Sequence, residues 1–314
     1  MKPTIGILIT YYNEKELLTE CLDSVFSQTV APDEVMVYDD FSEFKAEDYI
    51  PKGYKVTVIR GSENKGPGYG RNHLFKESGC EYVHFHDADD LFYPDWCQKV
   101  RHAIETTGAE VIFTEIASFK GNKLADANIL GLEDLAGGAD LTRFAISRSI
   151  LIPSTTIRRD IPVKISGFRT REILPQSEDY DFHIRIAACK PTHAEILEPL
   201  IIQRVRSGSN SGKDLIKAWS SAVDAIRMLT NELDTTYRQD LAEAAAKAGS
   251  KLYSLKAHDK AKKAFELAQE LGPPKFIYRS RLFYLTAKVL GPQAAEGIGD
   301  SYRILLSNFL RKTI

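Results

Sequence analysis

The stretch 81-EYVHFHDADD-90 joins a short apolar run to a cluster of acids. The apolar run is predicted to be a buried strand, and Asp87, Asp89 and Asp90 follow it directly. Carboxylates this close repel one another unless a positive group lies between them. A hard divalent cation that carries a nucleotide diphosphate is such a group. The alternative is a solvated turn in which Asp90 helps to cap a helix that begins near Pro94.

Three more predicted strands precede this one, and helical patterns separate most of the strands. The earlier strands are Thr4 to Thr10, Glu34 to Tyr38 and Lys55 to Arg60, and they are followed by Tyr11-Tyr12-Asn13-Glu14, Asp39-Asp40-Phe41-Ser42 and Asn64-Lys65-Gly66. The βαβ order predicts an α/β domain with a mainly parallel sheet. Because such sheets bind ligands at the carboxyl ends of their strands, these polar segments are predicted to form one site.

The glycine-rich stretch 66-GPGYGR-71 does not match a standard phosphate-binding loop. Arg71 stands where the dinucleotide fingerprint needs its third glycine, and the Lys-Ser/Thr pair of a P-loop is missing. Two interpretations remain. The stretch is either a flexible turn before a helix over Tyr69 to Ser78, or it presents Arg71 at a helix start toward a phosphate or a base.

The order of these motifs resembles that of the inverting family 2 glycosyltransferases, which have the GT-A fold. The stretches that carry the resemblance are Thr10 to Glu14, Ser24 to Thr29, Asp39 to Ser42, Asn64 to Gly66 with Arg71-Asn72, Asp87 to Asp90, Gly167-Phe168, Ser177 to Asp181 and Gln203 to Ser211. The resemblance covers residues 1–211. It implies a Rossmann-like GT-A domain there, with a mainly parallel sheet and flanking helices.

The resemblance also implies a nucleotide-sugar donor, with a UDP-sugar as the default, and an acceptor that is a saccharide or a lipid-linked saccharide. Tyr12 would pack on or beside the base, where an aromatic face suits a flat ring. Thr10 and Asp40 would hydrogen-bond the base, and Arg71 would lie near the nucleotide. Glu14, at the end of the motif Thr10 to Glu14, is also predicted to bind the donor.

The acids after the fourth strand match the DxD motif of the family. Asp87 would contact the ribose, and Asp89 would bind a Mn²⁺ or Mg²⁺ ion that bridges the diphosphate and offsets its charge as it leaves. Arg206 stands where many members carry a histidine, and arginine cannot ligate a cation. Arg206 would instead reach the diphosphate directly; the other interpretation is a surface cation beside a Ser/Gly loop.

Asp179 is the predicted general base. An inverting transfer needs one carboxylate to take the proton of the acceptor hydroxyl while that oxygen attacks the anomeric carbon. The alternative is ordinary helix chemistry: Ser177 would cap a helix over Glu178 to Cys189, and the acids Glu178, Asp179 and Asp181 would favour its positive end.

Composition excludes several classes of protein. The 314 residues are 43% hydrophobic with a net charge of −2, which gives no bias toward nucleic acid. No apolar run has a membrane-spanning length, and Ile5 to Ile9 is too short for a signal-peptide core. The cysteines lack CxxC spacing and are predicted to be buried thiols in a reducing cytoplasm: Cys21, Cys80, Cys97 and Cys189.

After Ser211 the pattern is helical, which predicts a smaller all-α region over 212–314. Residues 241–273 resemble a single tetratricopeptide hairpin, with a plain helical bundle as the alternative. The last forty residues carry seven Lys or Arg against two acids, a local charge of +5. Such basic, amphipathic helices can lie on a membrane surface, or they can be core-facing helices with solvated cations.

Two other functions fit parts of the pattern. A nucleotidyltransferase would carry a glycine-rich loop with Lys or Arg directly after the first strand, where Thr10 to Glu14 stands. A non-catalytic scaffold would bind a nucleotide sugar without needing Asp87, Asp89 and Asp179. The resemblance therefore implies an inverting, hexosyltransferase-like enzyme of polysaccharide biosynthesis, and we expect its acceptor groups between Phe113 and Arg171.

Overall fold

The computed structural model describes residues 2–121, 123–205 and 214–299. The chain divides into two compact units, Met1–Gly212 and Lys213–Ile314. The strands of the first unit are β1 (Ile5–Tyr11), β2 (Glu34–Asp39), β3 (Thr57–Arg60), β4 (Tyr82–Asp87), β5 (Leu91–Phe92), β6 (Val111–Lys120), β7 (Lys123–Asp126), β8 (Thr155–Arg158) and β9 (His193–Val205). Its helices are α1 (Glu16–Phe26), α2 (Pro67–Glu77), α3 (Trp96–Thr107), α4 (Glu133–Ala136), α5 (Leu141–Ser147), α6 (Asp160–Lys164) and α7 (Glu178–Ala188).

The described strands form a nine-stranded mixed sheet in the order β3-β2-β1-β4-β8-β6-β9-β5, with β7 paired to β6. The strands β3, β2, β1 and β4 all run parallel, as predicted. Beyond β4 the sheet is mixed, because β8 pairs antiparallel with both β4 and β6 while β6 and β9 run parallel. The predicted Rossmann-like α/β fold is confirmed, and its parallel character belongs to the half that carries the first four strands.

The centre of the sheet is apolar on both faces, which suits a parallel strand covered by helices. In β1, Ile5, Ile7, Leu8 and Ile9 are fully buried. In register, Tyr11 lies beside Asp39 on β2, and Thr10 lies beside Asp87 on β4. The polar residues that follow these strands therefore meet at one edge of the sheet.

The second unit is helical over its described residues. Its helices are α8 (Leu215–Leu229), α9 (Arg238–Ser254), α10 (His258–Leu271) and α11 (Arg281–Leu290), followed by a helical segment over 292–299. Helices α9 and α10 pack closely, since a Cβ on Gly249 would come within 2.8 Å of the Phe265 ring. These two helices span the predicted tetratricopeptide-like hairpin over 241–273, whose assignment to that repeat class remains a prediction.

Two further observations concern membrane-spanning helices and the cysteines. No helix within the described ranges is long and apolar enough to cross a membrane. All four cysteines lie in described residues and are free thiols, and three of them are buried. The prediction that Cys189 is buried was wrong: it follows the last residue of α7 and is exposed.

Candidate active site

The loop after β1 is fixed by its own polar residues. The Tyr12 amide donates to a Glu14 carboxylate oxygen at 2.5 Å, and the Asn13 amide donates to Ser42 Oγ at 3.1 Å. Asn13 and Lys15 have positive φ angles of 62° and 55°, which are uncommon for residues other than glycine. The loop leaves the Tyr12 side chain 43% exposed, so its ring is accessible at the strand edge. Glu14 thus holds the loop through a backbone contact.

Asp40, which follows β2, is buried and anchors the beginning of α2. Its two carboxylate oxygens accept from the amides of Lys65 and Gly66, each at 2.8 Å. Burial raises the pKa of Asp40, although these two bonds and the charge of Arg171 oppose the shift. The predicted hydrogen bond from Asp40 to a base remains a prediction, and it would involve a carboxylate that already binds two amides.

The glycine-rich stretch is helical, so the interpretation as a flexible turn was wrong. Helix α2 begins at Pro67, a residue suited to the first helical position, and not at Tyr69. A Cβ on Gly70 would lie 2.6 Å from the Tyr38 ring, and one on Gly68 would lie 3.1 Å from the Arg169 carbonyl oxygen. The glycines therefore let α2 approach the sheet on one side and the segment before α7 on the other.

Arg71 lies between these two surfaces and is 4% exposed. Its Nη2 donates to Asp87 Oδ1 at 2.8 Å, and its Nη1 donates to Glu178 Oε1 at 3.0 Å. Burial lowers the pKa of the guanidinium, but the charges of Asp87 and Glu178 outweigh burial and the net shift is upward. Arg71 therefore links the end of β4 to the start of α7.

The acids at the end of β4 and directly after it, Asp87, Asp89 and Asp90, differ in their exposure. Asp87 and Asp89 are half-buried, whereas Ala88 and Asp90 are buried. Asp90 Oδ1 accepts from the Arg204 amide at 3.0 Å, and α3 begins at Trp96 with Asp95 at its N-cap position. The alternative in which Asp90 caps this helix was therefore wrong. Burial, with the charges of Asp89 and Asp87, raises the pKa of Asp90 well above its usual range.

His84 and His86 on β4 are fully buried. His84 Nδ1 lies 3.1 Å from Thr156 Oγ1, and the His86 ring stacks on Phe92 with 3.9 Å between centroids. Burial lowers the pKa of both, that of His86 to about 4, so both rings are neutral near pH 7. Both histidines therefore belong to the packed core beside the end of β4, where the acids lie.

Asp179 lies in the first turn of α7 and is half-buried. Burial, with the charge of Glu178, raises its pKa to about 6, against the opposing effects of the Tyr180 amide and of Arg71. The Tyr180 amide donates to Asp179 Oδ1 at 2.8 Å. Ser177 occupies the N-cap position with φ 62° but makes no side-chain capping bond, so the predicted cap is absent.

Asp181, two residues further, has a different environment. It is fully buried and forms ion pairs with Arg169 and with Arg185. Arg185 also donates to the carbonyl oxygens of Ile165 and Gly167 at 2.7 and 2.8 Å. Asp181 therefore fixes the segment before α7 and has no access to a substrate.

Arg204, near the end of β9, contacts the candidate site, and the sequence analysis did not single it out. Its guanidinium donates to the Asp89 carbonyl oxygen and pairs with Glu20 of α1, while its own amide binds Asp90. Arg204 thereby fixes the loop that carries Asp89 and Asp90 to β9 and to α1. The signal was a second arginine only two positions before Arg206, and Arg206 itself lies outside the described residues.

The donor atoms at this edge suit a hard cation that is shared with a substrate. Within the described ranges, no three His, Cys, Asp or Glu side chains come together to hold a metal ion. Magnesium-like ions commonly take one or two protein carboxylates and complete their shell with substrate phosphates and water. The half-buried Asp89 carboxylate fits that arrangement.

The chain matches one known protein family over most of its first unit. The profile described as Glycosyl transferase family 2 matches residues 6–198, more than half of the chain. A Haemophilus influenzae protein described as an uncharacterized glycosyltransferase is 27% identical over 239 residues, covering 71% of this chain and 76% of that protein.

Two solved structures share the fold. S. aureus TarS 1–349 in complex with UDP-GlcNAc superposes with a TM-score of 0.67 at 17% identity, covering 96% of this chain and 91% of that one. The mannosyltransferase PcManGT from Pyrobaculum calidifontis, in complex with GDP-Man and Mn²⁺, gives 0.59 at 16% identity, covering 94% and 85%. At these identities the likeness shows the GT-A fold. Together with the profile match over residues 6–198, it establishes that the chain is a glycosyltransferase enzyme and belongs to glycosyl transferase family 2.

Proposed function

We propose that the protein is an inverting glycosyltransferase that moves a sugar from a nucleoside-diphosphate sugar to a hydroxyl of a saccharide or glycolipid acceptor. One observation carries this proposal: Asp179, with a pKa of about 6, lies next to Glu178, which Arg71 links to Asp87 at the end of β4. A base with a pKa just below the working pH is ionised and still accepts a proton well.

The donor would lie across the carboxyl ends of β1, β2 and β4. Tyr12 would pack against the base, Thr10 and Asp40 would bind its edge, and Asp87 would bind the ribose. We propose a UDP-sugar; TarS, which was solved with UDP-GlcNAc, supports this choice, and PcManGT with GDP-Man makes a guanosine donor the main alternative. Arg71 stays near the nucleotide through its contact with Asp87.

Asp89 would hold the metal, and Arg206 would reach the diphosphate. A Mn²⁺ or Mg²⁺ ion bound there would neutralise charge on the leaving nucleoside diphosphate. Asp179 would accept the proton of the acceptor hydroxyl as that oxygen bonds to the anomeric carbon. The bond from that carbon to the diphosphate oxygen breaks on the opposite face, so the configuration inverts.

Thermal shift and donor turnover test this proposal. We expect UDP to stabilise the full chain more than ADP or CDP does, and Mn²⁺ to increase the effect. A ligand at a hundred times its dissociation constant should stabilise by about 2.7 kcal/mol. Slow hydrolysis of a UDP-sugar would separate an enzyme from a non-catalytic scaffold. Absence of both stabilisation and hydrolysis with uridine and guanosine donors would contradict the proposal.

We also propose a cytoplasmic location with peripheral contact between the helical unit and an anionic membrane. Helix α11 exposes apolar side chains, with Leu282 74% and Val289 80% exposed. Lys275, Arg281 and Lys288 are exposed in the same segment. Its acid Glu296 is buried and paired with Arg279. Exposed apolar and basic groups together match a surface that offers acyl chains and negative headgroups.

Vesicle co-sedimentation of the full chain should show this contact. We expect binding to vesicles that contain phosphatidylglycerol, weaker binding to phosphatidylcholine alone, and weakening by salt because screening shortens the reach of charges. Replacing Leu282 and Val289 by Ser should reduce binding, whereas Leu124→Ser, an exposed leucine of the first unit, should not. No binding at low salt would rule out the contact and leave a packing role for these helices.

A further inference from the structure

One buried cation, Arg71, links the carboxylate proposed to bind the ribose, Asp87, to the neighbour in sequence of the proposed base, Glu178. Arg71 donates to Asp87 at 2.8 Å and to Glu178 at 3.0 Å, and Asp179 follows Glu178 directly. The guanidinium also lies against Phe168, with 5.4 Å from Cζ to the ring centroid. Phe168 is in turn fixed by Asn72, whose side-chain amide accepts from its backbone N–H at 2.7 Å and donates to its carbonyl oxygen at 2.8 Å.

The groups around Asp179 make Arg71 important for the ionisation of the Asp179 carboxyl group. The neighbouring charges are Glu178 on its own helix, Asp87 on β4 and Arg71 on α2. His183, one turn later, is neutral near pH 7 because burial lowers its pKa to about 4. His183 Nδ1 donates to the Asp179 carbonyl oxygen at 2.8 Å, while its Nε2 lies 3.0 Å from Thr155 Oγ1. Among these groups, Arg71 is the positive charge that favours an ionised Asp179.

We propose that Arg71 is a positioning residue that couples the donor site to the proposed base. Its single guanidinium holds Asp87 and Glu178 in a fixed relation, and its charge keeps Asp179 in the form that accepts a proton. The inference rests on the proposed function for the role of Asp179. It is distinct from direct binding of the nucleotide by Arg71: the side chain is buried, and its two terminal nitrogens donate to protein carboxylates.

The test compares Arg71→Lys and Arg71→Met with the parent, using the full chain. We expect Arg71→Met to move the acidic limb of the kcat profile to higher pH by about one unit, which corresponds to a tenfold change in proton affinity. The ratio of parent to variant kcat should therefore be larger at pH 5.5 than at pH 9. Arg71→Lys keeps the charge but loses the two-pronged geometry, so it should shift the limb less.

A second readout does not depend on turnover. In protein labelled with ¹³C at the aspartate carboxyl groups, the resonance that Asp179→Asn removes identifies Asp179. We expect that resonance to titrate at higher pH in Arg71→Met than in the parent. If the parent transfers no sugar, the proposed function fails, while this titration still decides the role of Arg71.

Arg101→Lys is the matched control. Arg101 is another buried arginine, with 5% side-chain exposure like Arg71, and it pairs with Asp33 at 2.9 Å. Arg101→Lys should lose thermal stability comparable to that lost by the Arg71 variants, but its kcat profile should keep the pH dependence of the parent. Weaker UDP binding by Arg71→Met with parallel pH profiles would show direct nucleotide contact and overturn the proposal. If Arg71→Met instead loses the same fraction of kcat at every pH, and Asp179 titrates at the same pH as in the parent, the role of Arg71 is purely structural. That result would also overturn the proposal.

Discussion

Asp179→Asn should reduce sugar transfer by about 10²- to 10⁴-fold, because an amide cannot accept the proton of the acceptor hydroxyl. Donor binding should be close to that of the parent, since the substitution preserves shape. The asparagine carbonyl oxygen can still accept from the Tyr180 amide, as Asp179 Oδ1 does at 2.8 Å. The measurement is kcat for transfer, together with calorimetric UDP affinity, for the parent and the variant.

The same substitution should leave stability unchanged or raise it at neutral pH. The folded-state pKa of Asp179, about 6, lies above the usual value of 3.8. Between these values the folded state binds more protons than the unfolded state, so Asp179 reduces stability as pH rises through this window. Asparagine removes that penalty above pH 6. A less stable variant at pH 8 would mean that Asp179 has a structural role.

Near-normal transfer by Asp179→Asn would assign the base to another residue. Glu178 would be the next candidate, although it is bound to Arg71. Asp181, the third acid of this turn, is excluded by its ion pairs with Arg169 and Arg185. Glu178→Gln therefore completes the experiment: it should lose less activity than Asp179→Asn if Asp179 is the base.

Asp89→Ala should abolish the metal-dependent part of donor binding and lower turnover about a hundredfold or more, since metal stabilisation of a leaving phosphate contributes several kcal/mol. Without metal, the variant should be at least as stable as the parent. The charge of Asp89 helps to raise the pKa of the buried Asp90, so its removal relieves repulsion in the acidic loop.

Calorimetry of UDP binding with and without Mn²⁺ measures this effect directly. Asp95→Ala is the control, because Asp95 is a nearby carboxylate at the start of α3 that pairs with Lys99 on the protein surface. It should keep the full response to Mn²⁺. If Asp89→Ala binds UDP with Mn²⁺ as tightly as the parent, Asp89 is not the metal ligand.

The sequence by itself determined the fold class, and it predicted the edge of the sheet where the candidate site lies. Short, isoleucine-rich apolar runs such as Ile5 to Ile9 favour buried central strands, and parallel strands place their carboxyl ends together. For that reason Tyr12, Asp40 and Asp87 could be predicted to lie at one site from their positions after the strands. The structure added that Asp40 anchors the start of α2 through the amides of Lys65 and Gly66.

Only the tertiary structure decided what each charged group contacts. Asp179 and Asp181 are the same residue type in one helical turn, and their environments alone separate a half-buried acid with a raised pKa from a buried member of an ion-pair network. Arg71 meets Glu178 across 107 positions because Gly68 and Gly70 let α2 approach its neighbours. Local patterns fix periodicity and strand ends, but ion pairs depend on ångström-scale approach between elements distant in sequence, and only packing sets that distance.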